Sequence, residues 1–278
     1  MQEARLQSRG RMNDGLRSYW ETRYERFSLE ESSCLGAGHR MAALIYRCQQ
    51  RAILEALRFA GFTRESRYDV LDMGCGFAHL AGLYDADFPH ASYTGVDISS
   101  RAINHAKATR PRHDFYAGDV VAWSHPTGKR FDVVQSINVL QLLVDDAEFT
   151  AAFENLVQHL APGGVIVMPL GFSDRPSLNP LHRIRTRESF DRLLVELGLT
   201  VAVEIRMFYW LIDGGPTSRL LRAVFARTGP YSLYVADRLA CRLGLVNRRA
   251  EHHLSRARML LIRRLSPATG PHSTESAG

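Results

Sequence analysis

The sequence predicts an α/β protein built on a mostly parallel sheet with helices on both faces. Three observations predict it. Short apolar runs alternate with amphipathic helical segments through the middle of the chain, the pattern of strand–helix–strand units. The first apolar run, Val70-Leu71 with Met73, leads straight into Gly74-Cys75-Gly76, a turn whose glycines open backbone angles closed to other residues. A second run, Tyr93-Thr94-Gly95-Val96, ends on Asp97, 25 residues after Asp72. Acidic groups at neighbouring strand tips sit where such sheets bind their ligands.

Taken in order, residues 1–18 are polar and read as frayed. Aromatic residues then recur at near-helical spacing from Tyr19 and Trp20 through Tyr24 to Phe27. A glycine-bearing link at 34–39 precedes a long amphipathic helix over 40–58, with Ile45, Ile53, Leu54 and Leu57 among its apolar residues. Tyr68 opens the first strand, and a helix is expected from about Ala78, its N-terminus aimed at the glycine turn. Ser99 caps the next helix, with Ala102, Ile103 and Ala106 inward. A third strand is expected at 114–117 and a fourth at 131–137. Asp145 and Glu148 form a capping box for a helix running to Leu160. Ala161-Pro162-Gly163-Gly164 then breaks the chain before a fifth strand at 165–168. A polar loop fills 171–185, a helix over 186–197 stops at Gly198, and a sixth strand runs over 200–210. The last β-like run is Met259-Leu260-Leu261-Ile262. Residues 211–256 therefore read as a helical insertion, 257–265 as the returning strand, and 266–278 as a disordered tail.

Composition narrows the class. A chain of 278 residues with 45% apolar content suits one large α/β domain carrying an insertion. No run is long and uncharged enough to span a bilayer, and Met1-Gln2-Glu3-Ala4-Arg5 lacks the apolar segment of a secretory signal. Cys34, Cys48, Cys75 and Cys241 show neither C-x-x-C nor metal-ligand spacing, so reduced thiols, no metal and a cytoplasmic location are expected. The net charge of +6 is uneven. Residues 211–278 hold 11 Arg and no Lys against four acids, or +7, which leaves −1 for everything before them. That region is either a solvated arginine-rich face or a surface for an anionic substrate or partner.

At the glycine turn, a dinucleotide fingerprint would need its third glycine where His79 stands, and no Lys-Ser/Thr ending of a phosphate loop follows. A ligand held by carboxylates and main-chain amides fits better. The ordered set is Asp72-Met73-Gly74-Cys75-Gly76, then Asp97, Gly118-Asp119, Phe131-Asp132-Val133-Val134 and Leu160-Ala161-Pro162-Gly163-Gly164. It resembles the class I S-adenosylmethionine-dependent methyltransferases over about residues 68–170. The resemblance implies a Rossmann-like, seven-stranded, mostly parallel sheet in a core over 67–210. It also implies a helical lid over 1–66 and an antiparallel last strand. Its cofactor would be S-adenosyl-L-methionine, with S-adenosyl-L-homocysteine as product. Asp72 and the turn Gly74, Cys75, Gly76 would hold the methionine end. Asp97, with Ile98, would take the ribose hydroxyls, Asp119 and Val120 would sit at the adenine, and Ser136 would lie near the sulfonium.

Methyl transfer from a sulfonium needs alignment and exclusion of water, and a base only when the acceptor must lose a proton. His182, after the fifth strand, is the candidate general base, ahead of His39, Tyr46, His79 and Tyr209. Ser136-Ile137-Asn138-Val139 lacks the Asn/Asp-Pro-Pro-aromatic run of enzymes that methylate adenine or glutamine nitrogen. No aromatic–basic interleaving marks a nucleic-acid groove. Phe208-Tyr209-Trp210 beside the insertion suggests an enclosed, partly apolar pocket, with Tyr46, Tyr209, Arg219 and Arg222 as acceptor contacts. The expected protein is similar to bacterial small-molecule O- or C-methyltransferases of secondary metabolism. Its acceptor would be anionic or lipid-like, with no nucleic-acid partner. A membrane-surface or homodimer role is the competing use of the insertion. The alternative to methyl transfer is a donor-binding, non-methylating catalyst of cyclase type, or a regulatory protein of the same fold.

Overall fold

Apolar side chains alternate between two faces along the central strands, and that alternation organises the whole sheet. The strands are β1 (Asp69–Met73), β2 (Ser92–Asp97), β3 (Asp114–Ala117), β4 (Phe131–Gln135), β5 (Leu160–Leu170), β6 (Ser177–Asn179), β7 (His182–Ile184), β8 (Leu199–Arg206) and β9 (Arg258–Arg264). The helices are α1 (residues 15–25), α2 (His39–Phe59), α3 (Ala81–Asp87), α4 (Ser100–Thr109), α5 (Asp146–Gln158) and α6 (Arg187–Glu196). These come from a computed structural model that describes residues 15–25, 39–173, 177–179, 182–207, 235, 239 and 257–265.

Seven strands form one sheet in the order β3-β2-β1-β4-β5-β9-β8. The pairs from β3 to β5 are parallel, and β9 runs antiparallel to both β5 and β8. Val70, Val133, Val165, Val167, Met259 and Leu261 join one apolar layer with α2, α3 and α4. Their neighbours Leu71, Val134, Ile166, Met168, Leu260 and Ile262 join the other, with α5 and α6. A strand sandwiched between two helical layers has to be apolar on both sides, which is why these runs are continuous rather than alternating polar and apolar.

The helix starts follow the sequence. The Ser99 hydroxyl accepts from the Ala102 amide at 3.2 Å, the Asp145 carboxylate from Glu148 at 2.9 Å, and the Thr186 hydroxyl from Ser189 at 3.2 Å. Each such cap contributes about 1 kcal/mol. Helix α6 then buries Phe190, Leu193 and Leu194 and ends before Gly198.

Several boundaries differ from expectation, each for a local reason. Residues 15–18 belong to α1 rather than to a frayed end. Helix α3 begins at Ala81, not near Ala78, because Ala78 adopts a left-handed φ of 57° and the turn continues through Leu80. Ala161–Gly164 does not break the fifth strand. Strand β5 starts at Leu160 opposite Phe131 and resumes pairing at Val165 opposite Val133, so the intervening residues form a bulge. The expected loop at 171–185 contains a two-stranded hairpin, in which Asn179 pairs with His182. Strand β8 ends at Arg206, and the Phe208–Trp210 cluster and the 211–256 insertion lie outside the described residues.

Packing depth sets the expected cost of truncation. Phe153 is fully buried, stacked on Phe149 and edge-on to Phe190, whereas Val195 is 70% exposed. Phe153→Ala is expected to cost about 3–5 kcal/mol in urea unfolding, and Val195→Ala less than about 0.5 kcal/mol. Equal losses at the two positions would contradict the packing.

Candidate functional site

The strand order reverses between β1 and β4, and a cleft opens there at the C-terminal tips of the parallel strands. It encloses about 770 Å³ of space, counting its open mouth. Its floor is Gly74 and Gly76 after β1, Asp97 and Ile98 at the end of β2, Gly118 to Val121 after β3, and Ile137 to Val139 after β4. Leu142 and Leu143 add an apolar side. The other wall is α1, which presents Leu16, Trp20 and Tyr24 at four-residue spacing.

The turn is held by its own main chain. The amides of Gly74 and Cys75 both donate to the Val96 carbonyl, at 2.7 and 2.9 Å. The Gly76 amide donates to Asp97 Oδ2 at 2.9 Å. Gly74 has φ +89°, and a Cβ there would lie 2.1 Å from Val139 Cγ2, so conformation and space both require glycine. Because these three amides are already engaged, Gly74, Cys75 and Gly76 supply shape to the cleft rather than the free main-chain donors expected from sequence.

Asp97 joins two strands at the floor. Its Oδ2 takes the Gly76 amide and its Oδ1 the Ser99 amide, each at 2.9 Å. Each carboxylate oxygen keeps a lone pair for a ligand. Burial raises the Asp97 carboxyl to about 6, against the pull of the Ser99 and Gly76 amides, with Glu21 adding to the rise. Glu21 also accepts from the Ser100 amide at 2.8 Å, and Glu25 pairs with Arg101 at 2.7 Å. These contacts fasten α1 to the first turn of α4, where a carboxylate meets unpaired amides.

Of the residues expected from sequence, the structure brings Gly74, Gly76, Asp97, Ile98, Asp119 and Val120 to the cleft. Others are elsewhere. Asp72 is buried beneath the turn, where it accepts the Tyr93 hydroxyl, and it does not line the cleft. Burial raises its carboxyl to about 6, offset in part by hydrogen bonding from Tyr93. Cys75 fills the space over Gly95, where an added Cβ would meet its sulfur at 2.8 Å, and burial pushes its thiol up. The Ser136 hydroxyl donates to the Met73 carbonyl at 2.9 Å and braces the tips of β1 and β4. Tyr46 is buried on α2 with its ring against His79, 4.3 Å between centroids. His182 stands on β7 and is not among the cleft's lining residues. Tyr209, Arg219 and Arg222 lie outside the described residues.

Trp20 and Tyr24 also line the cleft, and their helical spacing was the signal that the sequence offered for them. Sequence reasoning passed over Asn138. That residue takes a left-handed φ of 63° and exchanges amide hydrogen bonds with buried Gln49 of α2, at 2.7 and 3.2 Å. Asparagine tolerates that conformation better than most residues.

Residues 71–166 match the family model described as a methyltransferase domain. Over that span the chain is similar to a methyltransferase domain. Trans-aconitate 2-methyltransferase of Rhodopseudomonas palustris is 30% identical over 128 residues, 46% of this chain and 48% of that one. Release factor glutamine methyltransferase of Koribacter versatilis is 29% identical over 170 residues, 51% of this chain and 59% of that one. The chain thus spans about half the length of the curated relatives it matches. Magnesium protoporphyrin IX methyltransferase of Synechocystis PCC 6803, solved with its methyl donor bound, shares the fold. Its TM-score is 0.54 at 15% identity, covering 70% of this chain and 89% of that one.

The cleft suits S-adenosylmethionine in its charge. Its described lining carries two carboxylates, Asp97 and Asp119, and no Lys, Arg or His. A phosphate-bearing dinucleotide would want the reverse, whereas a cationic nucleoside with ribose hydroxyls wants acceptors. The raised Asp97 carboxyl gives two opposite pH effects. The folded chain holds this proton more tightly than the unfolded chain does, so the stability tied to it is full below about 4 and fades as pH rises through about 6. Ligand hydroxyls instead need the ionised form. S-adenosylhomocysteine affinity should therefore rise about tenfold from pH 5 to 7.5 in calorimetry, and Asp97→Asn should flatten the rise. A flat wild-type profile would show that Asp97 does not bind the donor as an anion.

Proposed function

We propose that the chain transfers a methyl group from S-adenosylmethionine to a carboxylate oxygen of a small anionic acceptor. The observation that carries this is the set of titratable groups at the cleft. Among the described lining residues these are Tyr24, Asp97 and Asp119 alone. None is a histidine or lysine suited to taking a proton near neutral pH. A carboxylate acceptor has already lost its proton and needs no general base. Trans-aconitate, named in one relative's activity, is a small carboxylate of this kind, which supports the choice of acceptor.

When bound, S-adenosylmethionine supplies a methyl group activated by a positive sulfonium. The chain's part is to bind, orient and keep water out. Asp97 takes the ribose hydroxyls with the lone pairs left by Gly76 and Ser99. Asp119 and Val120 hold the base edge, and Leu142 and Leu143 offer its apolar ring a dry face. Leu16 and Trp20 of α1 cover the opposite side as a lid. Pre-set orientation of this type supplies much of the rate in a displacement that asks for little proton movement.

The test is incubation with donor labelled in the methyl group and a panel of small di- and tricarboxylates. The expected product is a methyl ester, whose label is released by mild base as volatile methanol. Base-stable label would place the methyl on carbon, nitrogen or an ether oxygen instead. No label from any acceptor class, with donor bound normally, would favour the non-methylating alternative.

A further inference from the structure

The donor carries one negative group, the carboxylate of its methionine end, and that group needs hydrogen-bond donors. Four amides at the glycine turn are already engaged. Gly74 and Cys75 donate to the Val96 carbonyl, Gly76 donates to Asp97, and Ala78 donates to the Cys75 carbonyl at 2.9 Å. The described lining of the cleft holds no cation either. A neutral donor from another element would serve a carboxylate arriving at this corner.

Tyr24 on α1 is placed to be that donor. It is 9% exposed, and its hydroxyl lies 3.1 Å from the point where a Cβ on Gly76 would stand. Among the described residues that hydroxyl meets no hydrogen-bond partner, although it lines the cleft beside Asp97. The ring is wedged between Trp20 and Phe77, with centroids 5.6 and 4.7 Å away. Helix α1 is itself fastened to α4 through Glu21 and Glu25, so the hydroxyl is held rather than swinging free. Burial, then the nearby Asp97 carboxylate, pushes the phenol well above its ordinary range, so it stays protonated and can donate. The ribose does not need it, since Asp97 offers acceptors for both hydroxyls. Facing the cleft, a phenol that keeps its proton can donate to an acceptor that the ligand brings.

We infer that Tyr24 binds the carboxylate end of the methyl donor, so that α1 completes the donor site as well as covering it. This rests on the donor reading of the cleft given above. The test compares two ligands that differ only at that end: S-adenosylhomocysteine, and 5′-methylthioadenosine, which keeps the adenine and ribose but lacks the amino-acid carbons. Both are titrated into the wild-type chain and into Tyr24→Phe, which preserves the ring and its packing. Loss of a hydrogen bond to a charged group should weaken S-adenosylhomocysteine about tenfold or more and leave 5′-methylthioadenosine unchanged. Unchanged 5′-methylthioadenosine binding also shows that the variant is folded. An equal change for both ligands, including loss of both or change in neither, overturns the assignment while leaving the donor site itself standing. Failure of the wild-type chain to bind either nucleoside would instead overturn the proposed function.

Discussion

The arrangement of the cleft depends on one carboxylate. Asp97 sits at the end of β2 and takes one amide from the glycine turn after β1 and another from the start of α4. Without those two bonds the turn and the helix would have no common anchor, and Gly76 would leave a buried amide unpaired. A buried amide or carboxylate with no partner costs on the order of 1–3 kcal/mol, so the three groups support one another. The same bonds explain why burial leaves the Asp97 carboxyl near 6 rather than higher still. A ligand that brings hydroxyl donors and positive charge supplies what the amides leave undone.

A second polar layer lies beneath the first. Asp72 accepts the Tyr93 hydroxyl, and Gln135 accepts the Tyr84 hydroxyl at 2.6 Å, with the two tyrosine rings 5.5 Å apart. Asp72 and Gln135 face each other across the β1–β4 ladder, at the point where the strand order reverses. These side chains occupy positions that apolar residues fill elsewhere in the sheet. The bonds to Asp72 Oδ2 and Gln135 Oε1 offset part of the cost of burial, while Asp72 Oδ1 and Gln135 Nε2 meet no partner. The acid of the glycine motif thus lies beneath the cleft, while Asp97 lines it.

The sheet was legible because its signals are local and repeated. Val70-Leu71, Val133-Val134 and Val165–Met168 are apolar on both faces, and Ser99, Asp145 and Thr186 cap helices with side chains that the sequence displays. What the sequence hid depends on contacts distant along the chain. The bulge in β5 answers to β4, not to Pro162-Gly163-Gly164 alone. The hairpin at 177–184 is gripped where Arg183 and Arg185 reach the carbonyls of Val144 and Leu143, 39 and 42 residues earlier. Glycine spacing announced a tight turn but could not say where its amides would point. The motif residues Asp97 and Asp119 line the cleft, whereas Asp72, Cys75 and Ser136 are packed against the elements around it.

The central claim is that the Asp97 carboxylate is both keystone of the turn and ligand of the methyl donor. Calorimetric titration of S-adenosylhomocysteine into Asp97→Asn at neutral pH tests it most directly, with circular dichroism to confirm the fold. Asparagine keeps the shape, but it removes the charge and turns an NH₂ group toward an amide that needs an acceptor. The account predicts binding weakened by about 10–150-fold, equivalent to about 1.5–3 kcal/mol. A folded Asp97→Asn chain that binds as tightly as the wild type would contradict it.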